Sequence, residues 1–546
     1  MADKINAVIV GAGAAGGIVA KELAEAGLTV LLLDRGPHWS YADAVHDELQ
    51  GDAQNIPRAV SRLTPQAEQE NPRSFRYDEN SPLQLGAIGF NAFAVGGGTL
   101  FYGAAAWRYH EHHFRMRSTF GQPQGTSLED WPMTYDDLEP FYEKAEYELG
   151  VSGGGESDPL GPPRRKPYPI PPLPINPQGE LFAQTAKKLG LHPFPPPFAI
   201  LTAPYQGRPA CIQCPFCIGH ICEVNAKSST TVTVIPKAME TGHCTLKSKS
   251  VADRIVTDNR GRVTGVSYFD EERNHHLQEA DLVIVSANAG ESARLLLNSS
   301  NRFFPAGLAN SSGQVGRNVM SHIGANSFGV FERELPHDHG PGPCIAINDF
   351  IGGLGGAHVY NFYVHHPIGF SANRPPGAAR WGQAHKEFQR KYFRRYLHLN
   401  SDVQDMPVET NRVEIDPSIR DAWGVPVVRI THKFHPLDHE HSEFIAARQR
   451  EILAAAGAIQ IWSAERGKGG IGDHQVGTCR MGNDSKTSVL NRYCQSHDID
   501  NLFVVDGSCF VTNPGHNPSL TIQAIAYWAC NYIKREWKGG AWRRQG

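Results

Sequence analysis

The N-terminal part of the chain alternates between short apolar runs and one helical pattern. Residues 7–10 (AVIV) predict a buried strand, and residues 17–26 predict a helix with its apolar positions on one face. Residues 29–33 (TVLLL) predict a second buried strand, which ends at Asp34. Because a strand, a turn, a helix and a second strand follow one another directly, we expect a βαβ unit in a parallel sheet.

The turn between the first strand and the helix is rich in glycine and has the sequence GAGAAG at 11–16. In a dinucleotide-binding unit, Gly11 allows the tight turn, Gly13 lets the backbone approach a pyrophosphate, and Gly16 lets helix and strand pack closely. The helix N-terminus adds free N–H groups that favour phosphate. Asp34 would accept hydrogen bonds from the adenosine ribose. The motif predicts a dinucleotide but does not separate FAD from NAD.

Later segments have the patterns of further pieces of the same nucleotide site. A glycine run, VGGGT, stands at 95–99, and 283–297 predict a strand, a small-residue turn and a helix. Residues 501–507 predict a strand that ends in an acid and a glycine, and a helix follows over 519–533. The predicted cofactor contacts are Gly11, Gly13, Gly16, Asp34, Gly97, Gly98, Thr99, Val251, Ala287, Asp506, Gly507 and Pro518. The cofactor domain is therefore expected to be discontinuous.

Composition and charge exclude several classes of protein. Of 546 residues, 40% are hydrophobic and 20% are charged, which is typical of a globular chain. With 52 basic and 56 acidic residues the formal charge is −4, which argues against a nucleic-acid surface. No apolar stretch approaches the ~18 residues that span a bilayer. Residues 1–4 lead directly into a strand, so we expect no signal peptide.

Four cysteines lie close together in the segment CIQCPFCIGHIC at 211–222. Thiolates at the spacing of Cys211, Cys214, Cys217 and Cys222 can converge on one centre, as in ferredoxin-type iron–sulfur loops. Tetrahedral zinc suits the same two Cys-x-x-Cys steps. A disulfide pair and plain uncoordinated thiols are the other interpretations, and the residues alone leave all of these open.

Several motifs together resemble one known family. They are VGGGT at 95–99, EDWP at 129–132, VGRNVM at 315–320, HQVGTCRMG at 474–482, VDG at 505–507 and HNPSLT at 516–521. Over nearly its whole length the chain resembles the glucose–methanol–choline (GMC) family of FAD oxidoreductases. It is most similar to the branch of sugar dehydrogenases and pyranose oxidoreductases.

The resemblance implies an α/β fold, α+β overall, with two domains. A Rossmann-like FAD-binding domain is expected from 1–60, 85–110, 210–330 and 471–546, and a substrate domain built on an antiparallel sheet from 111–209 and 331–470, with a Pro-rich loop at 157–198. Polar groups that could line the substrate cavity include Gln404, Asp405, Asn411 and Arg412.

The resemblance also implies catalytic residues. His474 opens the motif H-x-x-G-T, whose histidine accepts the proton of the substrate hydroxyl, a task that suits an imidazole near neutral pH. Asn517 is the second position, where an amide can hydrogen-bond the developing alkoxide; the adjacent His516 is the alternative. Some sugar-oxidising members carry a flavin-bonding histidine where this chain has Phe101, so FAD is expected to be held non-covalently.

The implied activity is oxidation of a ring secondary alcohol of a sugar or glycoside to a ketosugar, with electrons passing to an acceptor other than oxygen. The cysteine segment resembles an insertion that holds an iron–sulfur cluster in multi-subunit sugar dehydrogenases of the family. A small subunit and a cytochrome are therefore expected partners, and the location is the cytoplasm, or the periplasm if a partner carries the export signal. The alternatives are a pyranose or glycoside oxidase that makes hydrogen peroxide, a lyase on the same fold, and a non-catalytic flavoprotein.

Overall fold

The computed structural model of the chain describes residues 5–43, 46, 71–86, 92–154 and 157–542. Part of the predicted FAD-domain ranges 1–60 and 85–110 lies outside the described residues. So do residues 1–4, on which the expectation of no signal peptide depends.

The strands, in chain order, are β1 Ile5–Val10, β2 Val30–Leu33, β3 Arg73–Arg76, β4 Gln84–Gly86, β5 Cys244–Lys247, β6 Val251–Thr257, β7 Val263–Phe269, β8 His275–Val285, β9 Ile323–Val330, β10 Ala346–Ile347, β11 Val359–Asn361, β12 Tyr396–Val403, β13 Arg412–Arg420, β14 Pro426–Thr431, β15 Gln460–Ser463 and β16 Leu502–Val504. The helices are α1 Gly16–Glu25, α2 Met116–Phe120, α3 Tyr135–Leu149, α4 Pro177–Lys188, α5 Val234–Glu240, α6 Ala289–Asn298, α7 Pro367–Ala372, α8 Gly382–Tyr392, α9 Pro436–Ala455 and α10 Ser519–Lys538.

A seven-stranded sheet contains the predicted βαβ unit. Its order is β5-β2-β1-β8-β7-β6, with β16 also paired to β8, and the pairs among β5, β2, β1, β8 and β16 are parallel. All four residues of β2 are buried, as a continuous apolar run predicts for a parallel strand covered on both faces. The predicted mixed α/β fold is confirmed, and β1, α1 and β2 lie within two residues of their predicted bounds.

The carboxyl ends of the parallel strands meet at one edge of this sheet. β8 is 11 residues long: its first half pairs antiparallel with β7, and its second half pairs parallel with β1. β16 extends the parallel part on the other side of β8. Ligands of such sheets bind outside the carboxyl ends of the strands, so this edge is where a nucleotide site is expected.

A second sheet has five strands in the antiparallel order β10-β11-β12-β9-β15. Helix α9 packs on it, with Ile445 and Leu453 in a buried cluster with Leu397 and Leu399. This is the antiparallel sheet expected of the substrate domain. Strand β9, however, lies inside the range 210–330 that we assigned to the FAD domain, so the strand pairing moves this boundary to before β9.

A smaller third sheet has the order β13-β14-β3-β4 and joins distant parts of the chain. The predicted Pro-rich loop at 157–198 is not a loop throughout, because it contains helix α4. Asn176 caps this helix by accepting a hydrogen bond from the N–H of Gly179 at 2.8 Å, and Pro177 occupies the first turn. Proline is favoured there because its missing N–H has no partner within the helix.

In the described part of the chain, none of the helices has both the length and the apolar composition that crossing a bilayer requires.

Candidate active site

A cavity of about 570 Å³ opens at the carboxyl ends of β1, β2, β8 and β16. All of the predicted cofactor positions line it except Gly16. Gly16 has a packing role instead, since a Cβ there would lie 1.8 Å from the carbonyl oxygen of Gly11. The segments that the sequence predicts to form one nucleotide site are thus neighbours in space.

The glycines of the first turn differ in what surrounds them. Gly11 has φ +102°, and a Cβ there would lie 2.3 Å from the carbonyl oxygen of Ser286, so any side chain is excluded. At Gly13 and Gly98 a Cβ would meet no atom within 4 Å. Both of these glycines line the cavity, and their missing side chains leave room for a ligand against the backbone. This cradle fits the pyrophosphate of FAD.

Asp34 ends β2 at the rim of the cavity and is 8% exposed. Its two carboxylate oxygens accept hydrogen bonds from the N–H groups of Ala12 at 2.9 Å and Gly36 at 2.8 Å. Burial raises the pKa of Asp34 to about 6, against the lowering effect of these two donors. The carboxylate therefore braces the glycine turn, and its remaining lone pairs can accept from a ribose hydroxyl.

The VGGGT segment packs directly on the first glycine turn. The N–H of Gly96 donates to the carbonyl of Ala12 at 3.0 Å. The hydroxyl of Thr99 donates to the carbonyl of Gly96 at 2.6 Å and accepts from the N–H of Thr230 at 3.1 Å. Two glycine-rich segments that are far apart in sequence therefore form one wall of the cavity.

Asp506 holds the turn after β16. It accepts a hydrogen bond from the hydroxyl of Ser292 at 2.6 Å and another from the N–H of Ser508 at 2.8 Å. Burial raises the pKa of this carboxyl. The bonds tie Gly507, a predicted cofactor position, to the N-terminal turn of α6.

Asn517 contacts His474, a residue of the wall of the same cavity. His474 lines it, and its Nε2 lies 3.2 Å from the amide nitrogen Nδ2 of Asn517. The amide oxygen of Asn517 is buried and has no hydrogen-bond partner among the described residues. The imidazole can accept the proton of a hydroxyl group, and the N–H groups of the amide can donate to the oxygen of that hydroxyl.

A second histidine, which the sequence did not predict as a site residue, contacts His474. This residue is His322. Its Nδ1 lies 2.8 Å from Nδ1 of His474, and its Nε2 lies 2.8 Å from the carbonyl oxygen of Pro514. Burial, with a smaller contribution from the neighbouring imidazole of His474, lowers the pKa of His322 to about 3. The chain has 25 histidines, and the contact joins positions 152 residues apart, so no local signal marks His322.

Asp402 is the third group at this position. Its Oδ1 lies 3.9 Å from Nδ1 of His474. In the described part of the chain, His322, Asp402 and His474 are the one group of side chains with ligand atoms close enough to share a metal ion, within 4.8 Å of one another. The 2.8 Å between the two Nδ1 atoms is a hydrogen-bond distance, so we interpret the group as a hydrogen-bonded histidine pair beside a carboxylate.

His516, the alternative to Asn517, points into the protein interior. It is fully buried, and its ring centroid lies 5.1 Å from that of Trp107 and 4.8 Å from that of His358. Burial holds the pKa of His516 well below its ordinary value. Asn517, and not His516, is therefore the residue in contact with His474.

The polar groups suggested for the substrate cavity, Gln404, Asp405, Asn411 and Arg412, are not among its described lining residues. Asp405 instead accepts a hydrogen bond from the N–H of Ser321 at 2.6 Å and is paired with the buried imidazole of His432 at 2.9 Å. These contacts hold Asp405 in the protein interior, and the assignment of all four residues to a substrate cavity stays a prediction.

Comparison with known proteins identifies the family. Residues 8–324 and 407–526 match the two parts of the GMC oxidoreductase family. The chain belongs to the GMC oxidoreductase family. It is accordingly an oxidoreductase, and the family supports FAD as its cofactor.

Three relatives of this GMC oxidoreductase span almost the whole chain. Gluconate 2-dehydrogenase flavoprotein from Pantoea cypripedii is 28% identical over 98% of this chain and 94% of the relative. A 2-methyl-1,2-propanediol dehydrogenase from Mycolicibacterium austroafricanum is 31% identical over 98% of this chain and 96% of the relative. The fructose dehydrogenase large subunit from Gluconobacter japonicus is 28% identical over 98% of both chains.

Solved structures show the same fold. Pyridoxine 4-oxidase from Mesorbium loti superposes with a TM-score of 0.63 at 16% identity, over 97% of this chain and 99% of that one. A formate oxidase superposes with a TM-score of 0.62 at 15% identity, over 98% and 99%. The GMC fold is therefore confirmed over nearly the whole chain.

The cysteine segment at 211–222, hereafter the Cys loop, forms another part of the cavity wall in this GMC oxidoreductase. Pro215, Ile218, Gly219 and His220 line the cavity. The N–H of Gly219 donates to the carbonyl of Phe101 at 2.6 Å, which attaches the Cys loop to the segment after VGGGT. The four thiols therefore lie on a loop that borders the predicted flavin site.

All four cysteines of the Cys loop are free thiols. Cys217 is buried and the other three are partly exposed. Burial raises the pKa of the Cys217 thiol to about 12. A disulfide within the Cys loop is thus absent among these described residues.

A single zinc ion would hold its sulfur ligands about 4 Å apart, given Zn–S distances near 2.3 Å. Among the described residues no three thiols lie within 4.8 Å of one another, so the Cys loop is not arranged as a closed zinc site.

The buried ammonium of Lys227 supports the Cys loop from behind. It donates hydrogen bonds to the carbonyls of Cys217 at 2.7 Å and His220 at 2.6 Å. Burial lowers the pKa of Lys227 to about 8, while the nearby thiols of the Cys loop favour its charged form. The ammonium of Lys227 therefore holds the backbone of the Cys loop in place through two carbonyl groups.

Proposed function

We propose that this GMC oxidoreductase oxidises a ring secondary alcohol of a sugar or glycoside to a ketone. In this proposal His474 is the base, and the electrons pass to an acceptor other than oxygen. The contact between His474 Nε2 and Asn517 Nδ2, at the wall of a cavity that the predicted FAD positions also line, carries the proposal. The redox cofactor and the proton acceptor would then act on the same carbon and its hydroxyl.

The chemistry asks for a base that loses and regains a proton near neutral pH. Nε2 of His474, the ring nitrogen in contact with Asn517, would take the hydroxyl proton. Asn517 would hydrogen-bond the oxygen as negative charge develops on it, without competing for the proton. FAD, when bound, supplies the acceptor for the hydride that leaves the carbon.

The substrate class is supported by the relatives. One acts on gluconate, one on fructose and one on a small diol, according to their names. Two further relatives at 29% and 30% identity are named 6'''-hydroxyparomomycin C oxidase and paromamine 6'-oxidase. Hydroxyl groups of polyhydroxylated compounds are common to these names, which supports a sugar or glycoside here.

A partner subunit and an iron–sulfur cluster belong to the same proposal. One relative is named a flavoprotein and another a large subunit, which are names of components of larger enzymes. The Cys loop, which carries four free thiols, borders the cavity. A cluster on this loop would receive electrons one at a time and pass them to a partner such as a small subunit or a cytochrome. We propose in addition that FAD is bound non-covalently, because Phe101 stands where some family members carry a flavin-bonding histidine. Acid precipitation of the protein should then leave the flavin in the supernatant.

A second candidate is an oxidase, and the two relatives named oxidases favour it. The two candidates differ in the acceptor alone. An oxidase would turn over in air and produce hydrogen peroxide without added dye.

The experiment that tests the proposal mixes the FAD-loaded protein with sugars without air. The panel should contain gluconate, fructose, a simple glycoside and a small diol, and flavin absorbance is followed. Bleaching by a sugar, with turnover that needs a dye or quinone, is the expected result. Turnover with oxygen alone would establish the oxidase, and a flavin that stays oxidised with every compound would refute sugar oxidation.

A further inference from the structure

The hydrogen bonds around His322 determine where its protons are. The carbonyl oxygen of Pro514 can only accept a hydrogen bond, and it lies 2.8 Å from Nε2 of His322. Nε2 of His322 must therefore carry a proton. Because burial lowers the pKa of His322 to about 3, its imidazole is neutral near pH 7 and its Nδ1 has a free lone pair.

This lone pair determines the proton on the next imidazole. Nδ1 of His322 and Nδ1 of His474 are 2.8 Å apart, and one of them has to donate. Since Nδ1 of His322 is the acceptor, Nδ1 of His474 is the donor. In a neutral imidazole with a proton on Nδ1, the lone pair is on Nε2.

The contact on the far side of His474 agrees with this assignment. The amide nitrogen Nδ2 of Asn517 is a donor and lies 3.2 Å from Nε2 of His474, where the lone pair is required. The opposite tautomer would place two N–H groups against each other at Asn517 and two lone pairs against each other at His322. One arrangement of protons therefore satisfies the row Pro514, His322, His474 and Asn517.

We infer that His322 is a positioning residue that holds His474 in the Nδ1–H tautomer, so that Nε2 is the atom that takes the substrate proton. The inference rests on the proposed function for the identity of the base. In the step, the N–H of Asn517 turns from Nε2 to the substrate oxygen, the hydroxyl O–H bond breaks and an N–H bond forms at Nε2. The hydride leaves the carbon with its electron pair for the acceptor that FAD, when bound, would supply. The imidazolium that results keeps its Nδ1–H bond to His322, with the carboxylate of Asp402 3.9 Å away.

The titratable groups that face this row come from several elements. They are Asp402 near the end of β12, His358 directly before β11, Tyr360 within β11 and Asp473 next to His474 in the chain. Burial lowers the pKa of His358 to about 3, so this imidazole is neutral as well. These groups could also affect the pH dependence of flavin reduction. The pH profile of a His322 variant must therefore be compared with that of a control variant in which all of these groups are kept.

The test uses His322→Leu, which removes the acceptor, and His322→Asn, whose side-chain oxygen can stand near the position of Nδ1. His337→Leu is the matched control, because His337 is a buried imidazole that bonds to the carbonyl of Leu335 and not to His474. The rate of flavin reduction by substrate is measured against pH for each FAD-loaded variant, together with FAD content and substrate affinity.

We expect His322→Leu to lower the rate of flavin reduction by ~10–100-fold and to move the acid limb of the pH profile to lower pH, because the imidazolium loses its acceptor. His322→Asn should recover most of the rate, and His337→Leu should match the wild type. An unmoved acid limb in His322→Leu with full FAD content would overturn the positioning role.

The tautomer itself is read independently of activity. In the FAD-loaded protein labelled with ¹⁵N-histidine, the signals that disappear in His474→Gln belong to His474. We expect these signals to show a protonated Nδ1 and an unprotonated Nε2 at neutral pH. A protonated Nε2 would overturn the inference, whereas loss of sugar oxidation with the Nδ1–H tautomer intact would overturn only the proposed function.

Discussion

Nδ2 of Asn517 lies 3.2 Å from Nε2 of His474, at the wall of the cavity that the glycine turn of β1 and α1 also borders. The two residues come from different parts of the C-terminal region, and Asn517 directly precedes Pro518 at the start of α10. The packing of α10 therefore sets the distance between the amide and the base. This geometry makes each group separately testable.

Removing the amide of Asn517 should slow catalysis without loss of cofactor. We expect Asn517→Ala to lower the rate of flavin reduction by ~10²-fold, because the developing alkoxide loses a hydrogen bond. Asn259→Ala, an exposed turn position, is the control and should behave as the wild type. Stopped-flow absorbance without air measures the rates, and a change of less than twofold in Asn517→Ala would exclude the amide from the reaction.

Filling the cradle at Gly13 should prevent FAD binding. The valine side chain of Gly13→Val would enter space where a Cβ now meets no atom within 4 Å, and that space faces the cavity. We expect folded protein that contains little flavin after purification. Gly352→Val is matched to it, because Gly352 is also open but lies on the surface. A Gly13→Val protein with full flavin content would mean that the pyrophosphate does not lie there.

Replacing one cysteine of the Cys loop should separate the oxidation of sugar from the onward transfer of electrons. We expect Cys214→Ser to lose protein-bound iron and sulfide while FAD and its reduction by sugar are kept. Transfer onward to a quinone or partner should then slow. Cys244→Ser, in β5 and outside the Cys loop, is the control. Wild-type protein purified without air that contains neither iron nor sulfide would contradict the proposed cluster.

Buried histidines predict acid sensitivity. Burial lowers the pKa of both His110 and His358 to about 3, compared with 6.5 in an exposed histidine. Below about pH 6.5 the unfolded chain takes up protons at these positions and the folded chain does not, so stability falls as the pH decreases from 6.5 towards 3. Each group contributes about 1.4 kcal/mol per pH unit within this window.

Thermal unfolding between pH 7 and pH 5 measures this effect. We expect His358→Phe, which keeps a ring against Trp107, to show a smaller decrease of the unfolding temperature than the wild type. His339→Phe, at an exposed position, is the control and should follow the wild type. Equal pH dependence in His358→Phe and the wild type would show that His358 does not contribute.

The nucleotide part of the fold could be predicted from the sequence because its signals are local. The apolar runs of β1 and β2, the glycine turn and Asp34 stand within one short segment, and each has a physical role that the structure shows. The same reasoning missed α4, where the many prolines of 157–198 outweighed the capping signal of Asn176 and Pro177.

The remaining site residues depend on tertiary contacts. His322 meets His474 across 152 positions of the chain, and Asp402 approaches them from the end of β12. Nothing in the spacing of a single sequence predicts that such residues meet. The same holds for β9, because the sheet to which it belongs depends on its pairing with β12 and β15. Sequence patterns predicted His474 and Asn517 only through their motifs.

The role of His474 is tested most directly by the rate of flavin reduction by sugar in His474→Ala, measured without air against the wild type. We expect a decrease of ~10²–10⁴-fold, the range for losing a general base, with FAD content unchanged. A near-normal rate of flavin reduction in FAD-loaded His474→Ala would show that His474 does not take the substrate proton.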